Sequence, residues 1–390
     1  MGAHLTSTLG AMSASDLLHT YADALPELVI DATAEEMPDP QLIVLNEPLA
    51  EDLGLDVSWL RSAEGTAFLT GQVGRTVAMG YAGHQFGQYS PRLGDGRAVL
   101  LGQLPTGQDL HVKGGGRTPF SRGGDGRGTL TSMLREFLYS ESMHALGVDT
   151  TRTLAVITTG RTVVRENGVE PAALLVRVAR GLTRVGTYQY ARSGGPEITQ
   201  RLADYDIARH YPSTSYAGFF EAVMERQMDT VAAWMRLGFI HGVMNTDNTS
   251  ITGETIDYGP CAFTESRDPD AFYSSVDTQG RYRFGNQPLI LRWNLTRLAE
   301  TLLELAPQSE LEALLGQFVE RFETRDTEPV RPLHFPRNHL VADALKKARL
   351  GEFGAYEELL NAVTRPWDPA AGEPTEEPED FGHFITYCGT

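Results

Sequence analysis

The sequence predicts an α+β protein of two lobes, a β-rich N-terminal one and a mostly helical C-terminal one. Between residues 81 and 186, short β-branched and apolar runs alternate with dense glycines, the pattern of strands joined by tight turns. From Tyr216 onward, apolar residues recur at helical spacing. A chain of 390 residues is also long enough to bury the cores of two lobes. The reading divides it into an extension packed on the first lobe (1–80), the β-rich lobe (81–186), the helical lobe (187–366), and a linker with a C-terminal tail (367–390).

Residues 1–80 hold a short helix, Ala14–Ala24, followed by segments broken at Pro26, Pro38, Pro40 and Pro48. Glycines then become dense from Tyr81–Gly87 to Leu93–Arg97, followed by the strand-like Ala98–Leu104, which implies a strand, a glycine turn and a strand. Asp109–Lys113 is a second strand, ending in three glycines and an arginine-rich loop. A helix spans Thr129–Leu146, with Gly147 as its stop. Thr153–Ile157 and Ala172–Ala179 are strands. The clearest helix is Tyr216–Leu237, ended by Gly238. Thr249–Ile251 and Thr255–Ile256 read as a hairpin, Leu291–Ala306 and Glu310–Phe322 as paired helices, and Val341–Leu350 and Tyr356–Val363 as shorter ones.

Charge separates the classes of partner. With 33 basic and 51 acidic residues the chain carries −18, which argues against nucleic acid or an anionic membrane as main partner. Locally the sign reverses: from Arg92 to Arg135, seven basic residues face three acidic ones, a candidate anion site. There is no apolar run long enough to cross a membrane and no secretory leader. Two cysteines, Cys261 and Cys388, cannot make a disulfide framework and fit a reducing compartment, the cytoplasm.

The chemistry concentrates in Ile240–Gly259. Asp247, Asn248 and Asp257 place three hard oxygen donors within eleven residues, a set suited to Mg²⁺ or Mn²⁺. Asp247 is the general-base candidate, able to accept a proton from an attacking hydroxyl, while Asn248 and Asp257 are the metal ligands. The competing reading is an Asx-turn and a strand-end aspartate. Such a metal shares its positions with substrate phosphates, and the basic, glycine-rich stretch supplies partners for them. Gly94 and Gly96 give a turn that either approaches phosphates or simply closes a hairpin. Lys113 at a strand end and Glu136 on the next helix are 23 residues apart, as in kinase-like enzymes that hold a lysine on nucleotide phosphates. Asp125 and Gly126 either contact nucleotide or cap the helix that follows. Arg177 and Arg184 are placed to clamp phosphates or to form structural ion pairs. His241 reads as a scaffold residue and Cys261 as a buried small one.

Taken together, GHQFGQYSPRLGDGR, HVKGGGRTPFSRGGDGRGTLTSMLRE, LLVRVARGLTRVGTY, HGVMNTDNTSITGETIDYGPCAF and QGRYRFGNQP resemble the selenoprotein O family, the YdiU-type protein adenylyltransferases. The resemblance covers roughly residues 80–300 in consistent order, and it implies a protein-kinase-like fold that transfers AMP from ATP to Ser, Thr or Tyr hydroxyls of other proteins. It assigns Gly94, Gly96, Arg97, Lys113, Asp125, Gly126, Arg177 and Arg184 to ATP. Asp247 becomes proton acceptor, Asn248 and Asp257 hold Mg²⁺ or Mn²⁺, and Glu136 supports Lys113. The 81–186 lobe becomes the nucleotide-binding one.

The alternatives are a kinase-like phosphotransferase and a non-catalytic, pseudokinase-type ATP-binding regulator. The first is disfavoured because Val243 stands where a kinase HRD loop has its aspartate, two residues after His241. The second is disfavoured because Asp247, Asn248 and Asp257 are all present. The chain departs from the family in being shorter, in reading ARGLTR after Arg177, and in lacking a cysteine at Phe272–Val276 that would pair with Cys388.

Overall fold

Alternating apolar positions in the glycine-punctuated half build one large antiparallel sheet. The computed structural model describes residues 16–165, 168–373, 376, 378 and 384–386. Its first strands are β1 (Val29–Asp31), β2 (Gln41–Leu45), β3 (Val77–Met79), β4 (Gly83–Gln85), β5 (Gln88–Ser90), β6 (Ala98–Gln103), β7 (Asp109–Lys113), β8 (Gly128–Thr129), β9 (Arg152–Arg165) and β10 (Gly168–Ala179). They run in the spatial order β1-β3-β6-β7-β10-β9-β2, with β8 also on β10 and β4–β5 off the sheet as a separate hairpin.

The period of two gives the sheet two apolar faces. Val99, Leu101, Val112, Leu174 and Val176 pack beneath Leu49, Trp59, Leu60 and Phe68. Those residues belong to α2 (Glu47–Asp52), α3 (Val57–Leu60) and α4 (Ala63–Leu69), which follow the single-turn α1 (Thr20–Ala24). Asn46, Asp56 and Ser62 accept backbone N–H bonds at the starts of α2, α3 and α4. The other face, including Leu100, Val156 and Leu175, meets Leu134, Phe137 and Leu138 of α5 (Leu130–Ala145). Thr129 caps α5 through Ser132, so the helix needs no help from Asp125.

Beyond β10 the chain is helical: α6 (Val185–Gly194), α7 (Pro196–His210), α8 (Tyr216–Leu237), α9 (Gln287–Thr301), α10 (Gln308–Gly316), α11 (Phe318–Glu323), α12 (Asn338–Arg349) and α13 (Gly354–Val363). A small ladder of β11 (Phe239–Ile240) and β12 (Ala262–Phe263) closes the base of the segment 241–261. Among the described residues no helix is long and apolar enough to cross a membrane.

Three expectations need correction. The helix expected over Ala14–Ala24 begins only at Thr20, because Leu18 exchanges both backbone hydrogen bonds with Gln103 at the end of β6; residues 14 and 15 lie outside the described residues. The hairpin of Thr249–Ile251 and Thr255–Ile256 does not form. Those backbones pair elsewhere: Ile251 N–H donates to Thr183, Thr255 N–H to Asp149, and Thr249 accepts from Val185. Glu310–Phe322 is broken after Gly316 into α10 and α11. Within the stretch read as an extension, β1 to β3 join the main sheet and α2–α4 cover one of its faces.

Candidate active site

The end of β7, the loop 94–97, the loop 117–127, the β10–α6 junction and the segment 243–260 enclose a cavity of about 750 Å³. Of the twelve residues singled out from the sequence, all but Glu136 line it. Glu136 sits behind the wall, 4% exposed, on the inner face of α5.

β7 delivers Lys113 and α5 delivers Glu136, and their side chains meet with Lys113 Nζ 2.6 Å from Glu136 Oε2. The same ammonium donates to Asp257 Oδ1 at 2.6 Å. Arg177, the largest fully buried side chain among the described residues, reaches across from β10 and pairs with both Glu136 and Asp257 Oδ1. Arg184, at the start of α6, lies 3.3 Å from Asp257 Oδ2, donates to the Asp247 backbone carbonyl at 2.9 Å, and stacks over the Tyr81 ring at 4.5 Å. Asp257 is thereby held by three cations. Burial alone would raise its carboxyl, but Lys113, Arg177 and Arg184 outweigh burial and hold it well below the usual carboxylate range. Glu136 is lowered in the same way, by Lys113 and Arg177 against burial. Burial opposes the charge on Arg177, yet Asp257 and Glu136 more than restore it.

Asp257 has φ +66°, a left-handed conformation rare for a residue with a β-carbon. The ion pairs on its carboxylate hold it there. Asp247 lies in a single 3₁₀ turn, Thr246–Asn248, and is 6% exposed. Burial pushes its carboxyl up to about 6, against the pull of Arg184. One oxygen, Oδ1, is buried without a hydrogen-bond partner; the other, Oδ2, accepts from Gln85 Nε2 at 3.3 Å. Asn248 donates its amide N–H to the Val243 carbonyl at 2.9 Å, which fixes the side chain beside the cavity.

Other residues take more ordinary positions. Asp125 accepts two hydrogen bonds from Arg165, each 2.9 Å long, and another from the Arg127 backbone, so its carboxylate ties the loop 117–127 to β9. Gly94, at φ +71°, packs its α-carbon against the Phe120 ring, which a side chain would strike. The cavity wall beside it is completed by Gly96, Arg97 and Gly126. His241 Nε2–H donates to the Ile256 carbonyl, 2.9 Å away, and the ring stacks on Trp234, a scaffold role. Cys261 is fully buried and unpaired, and burial pushes its thiol up to about 12. Cys388 lies outside the described residues.

Sequence reasoning missed the β4–β5 hairpin. Its His84, Gln85 and Phe86 grip the segment 245–247, and Tyr282 Oη joins them by donating to Asn245 Oδ1 at 2.6 Å. The available signal was a polar run, His84-Gln85, set between Gly83 and Gly87.

Among the described residues no cluster of three or more His, Cys, Asp or Glu side chains could hold a metal. The donors expected from the sequence, the Asn248 amide oxygen and the Asp257 carboxylate, both line the cavity. That is too few for a structural zinc centre but fits a divalent ion that takes its remaining ligands from phosphates and water.

Comparison with known proteins adds an independent line. A family model described as protein adenylyltransferase SelO matches residues 16–331. The protein nucleotidyltransferase YdiU of Corynebacterium glutamicum (strain R) is 44% identical, the match covering 95% of this chain and 98% of that protein. The YdiU proteins of Corynebacterium efficiens and Rhodococcus jostii are 43% and 42% identical, covering 95% and 98% of this chain and 95% and 96% of their own lengths. The match to the C. glutamicum protein extends over 467 residues, more than the 390 of this chain, so that relative carries internal segments with no counterpart here. The family match over most of the chain and these near-full-length likenesses establish that it belongs to the SelO family of protein adenylyltransferases.

Proposed function

We propose that the protein transfers AMP from ATP to Ser, Thr or Tyr hydroxyls of other proteins and releases pyrophosphate. The observation that carries this reading is the meeting, in one cavity, of the buried Asp247 carboxylate, whose Oδ1 has no hydrogen-bond partner, with Lys113, Arg177 and Arg184. A carboxylate so placed is suited to taking a proton. Asp247 accepts it from the substrate hydroxyl as the hydroxyl oxygen attacks the α-phosphorus, and the bond from that phosphorus to the bridging oxygen breaks. Lys113, Arg177 and Arg184 offset the charge that develops on the phosphates, with Glu136 orienting Lys113 and Arg177. Gly94, Gly96, Arg97, Asp125 and Gly126 form the remaining nucleotide-facing wall. Asn248 and Asp257 are the residues to hold Mg²⁺ or Mn²⁺, which when bound would polarise the phosphoryl oxygens.

The sheet on one side of the cavity, the helices on the other, and the strand-to-helix pair Lys113–Glu136 support a kinase-like arrangement of two lobes with boundaries near residues 80, 186 and 366. The cellular place we propose is the cytoplasm, with ATP and hydroxyl-bearing proteins as partners rather than nucleic acid or membrane. The net charge of −18 and the unpaired thiol of Cys261 support this.

The test is incubation with Mg²⁺ or Mn²⁺ and, in parallel, α-labelled and γ-labelled ATP, followed by intact mass and autoradiography of acceptor proteins. An added AMP mass with only the α label retained is expected. Transfer of the γ label instead would overturn the reading in favour of phosphoryl transfer.

A further inference from the structure

The β4–β5 hairpin takes no part in the main sheet, yet three consecutive residues of it engage three consecutive residues around the 3₁₀ turn. His84 N–H donates to Thr246 Oγ1 at 2.7 Å. Gln85 Nε2 donates to Asp247 Oδ2 at 3.3 Å, and Phe86 N–H donates to Asn245 Oδ1 at 3.1 Å. The clasp is braced from both sides. Thr246 Oγ1 donates to Gln189 Oε1 at 2.7 Å, and Gln189 Nε2 meets His84 Nδ1 at 2.9 Å. Phe86 N–H also donates to Tyr282 Oη at 3.0 Å.

Two glycines bring the turn this close. A methyl group on Gly83 would collide with Asp247 Oδ1, and one on Gly186 would stand 3.1 Å from the Asp247 α-carbon. Asp247 is pressed between β4 and α6, its Oδ1 shut away without a partner. Only the Oδ2 side carries a side-chain donor, and that donor is Gln85, which lines the cavity together with Asp247.

We propose that Gln85 is the positioning residue for the proton acceptor: its amide N–H fixes the Asp247 carboxylate so that Oδ2 is the oxygen presented to the incoming hydroxyl. A carboxylate only accepts, so the amide nitrogen, not its oxygen, must face it. A carboxylate oxygen has lone pairs enough to accept from Gln85 and from a substrate hydroxyl together. Without the donor, no side-chain hydrogen bond would fix Oδ2 in the orientation that faces the cavity, and the productive geometry would be held less often. The hairpin is the device that holds this geometry, because the backbone bonds of its neighbours His84 and Phe86 set where Gln85 stands.

The inference rests on the adenylyl-transfer reading, and its test separates the two. Wild type, Gln85→Leu and Gln85→Met are compared for AMP transfer from α-labelled ATP, with ATP binding measured by calorimetry on the same preparations. Gln85→Met keeps the length of the side chain but carries no donor, so it serves if the leucine variant folds poorly. Expected is a loss of about tenfold in kcat for Gln85→Leu, the size of one transition-state hydrogen bond, with KM and Kd for ATP within twofold of wild type. On an Asp247→Asn background, Gln85→Leu should cause no further loss, since the two residues act as a unit. Undiminished kcat in both Gln85 variants, or full additivity with Asp247→Asn, overturns the positioning role. Absence of AMP transfer by wild type overturns the adenylyl-transfer reading instead.

Discussion

Replacing Arg177 by methionine keeps much of the side-chain volume while removing the cation that Glu136 and Asp257 share. Both carboxylates would remain buried with Lys113 as their common partner, and breaking a buried pair from one side costs about 3–5 kcal/mol. Arg177→Met is therefore expected to lower stability by about 3 kcal/mol, checked by urea denaturation, together with a loss of ATP affinity. Much of this network was legible at the residue scale. Lys113, Glu136, Asp247 and Asp257 stood out because unlike residue types recur at a spacing that chemistry requires. Gln85 was not legible, because its role depends on a hairpin folding back over a turn about 160 residues away, and no local pattern encodes that approach. Asp125 lines the cavity as the sequence suggested, while the pairing of its carboxylate with Arg165 of β9 was not legible locally.

At the scale of elements, ends were readable wherever a cap was written in the sequence. The bounds of α8 match those read from the sequence, because Ser215 caps its start and Gly238, at φ +76°, its end. Thr129 does the same for α5 by a reciprocal bond with Ser132. Thr129→Ala is expected to lower stability by about 1 kcal/mol, measured as a shift in denaturation midpoint at unchanged slope. Elements were missed where the signal is diluted. α6 and α7 meet at Gly194-Gly195, and charged and polar residues interrupt the apolar stripe of α7. α2, α3 and α4 are four to seven residues each, too short to show a period. The expected hairpin near Thr249 failed because its donors found partners in the β10–α6 connection and in the segment leading into β9, contacts that exist only once the chain has folded.

For the molecule as a whole, pH acts through a group that does not line the cavity. Asp206 on α7 is fully buried, accepts from Tyr188 Oη at 2.8 Å, and has one oxygen without a partner. Burial pushes its carboxyl up to about 7, against hydrogen bonds from Tyr188 and Thr183. The folded state thus binds a proton that the unfolded state, with a carboxyl near 4, releases. Its favourable contribution is complete below about pH 4 and is lost as pH rises to about 7, by an amount on the order of 4 kcal/mol. Asp206→Asn is expected to stabilise the protein more at pH 8 than at pH 5, read from denaturant midpoints at the two values.

The capture of Asp257 by Lys113, Arg177 and Arg184 also makes the site a linked system. On the proposed assignment, a divalent ion arriving alone would compete with three tethered cations for one carboxylate, whereas nucleotide phosphates would draw those cations toward themselves. Each ligand would then favour binding of the other, and by reciprocity the coupling would be the same whichever binds first. Titrated with Mn²⁺ in the absence of nucleotide, Lys113→Ala should bind the ion more tightly than wild type, even though it holds ATP less well. A metal affinity indifferent to Lys113 would mean that the two ligands bind independently.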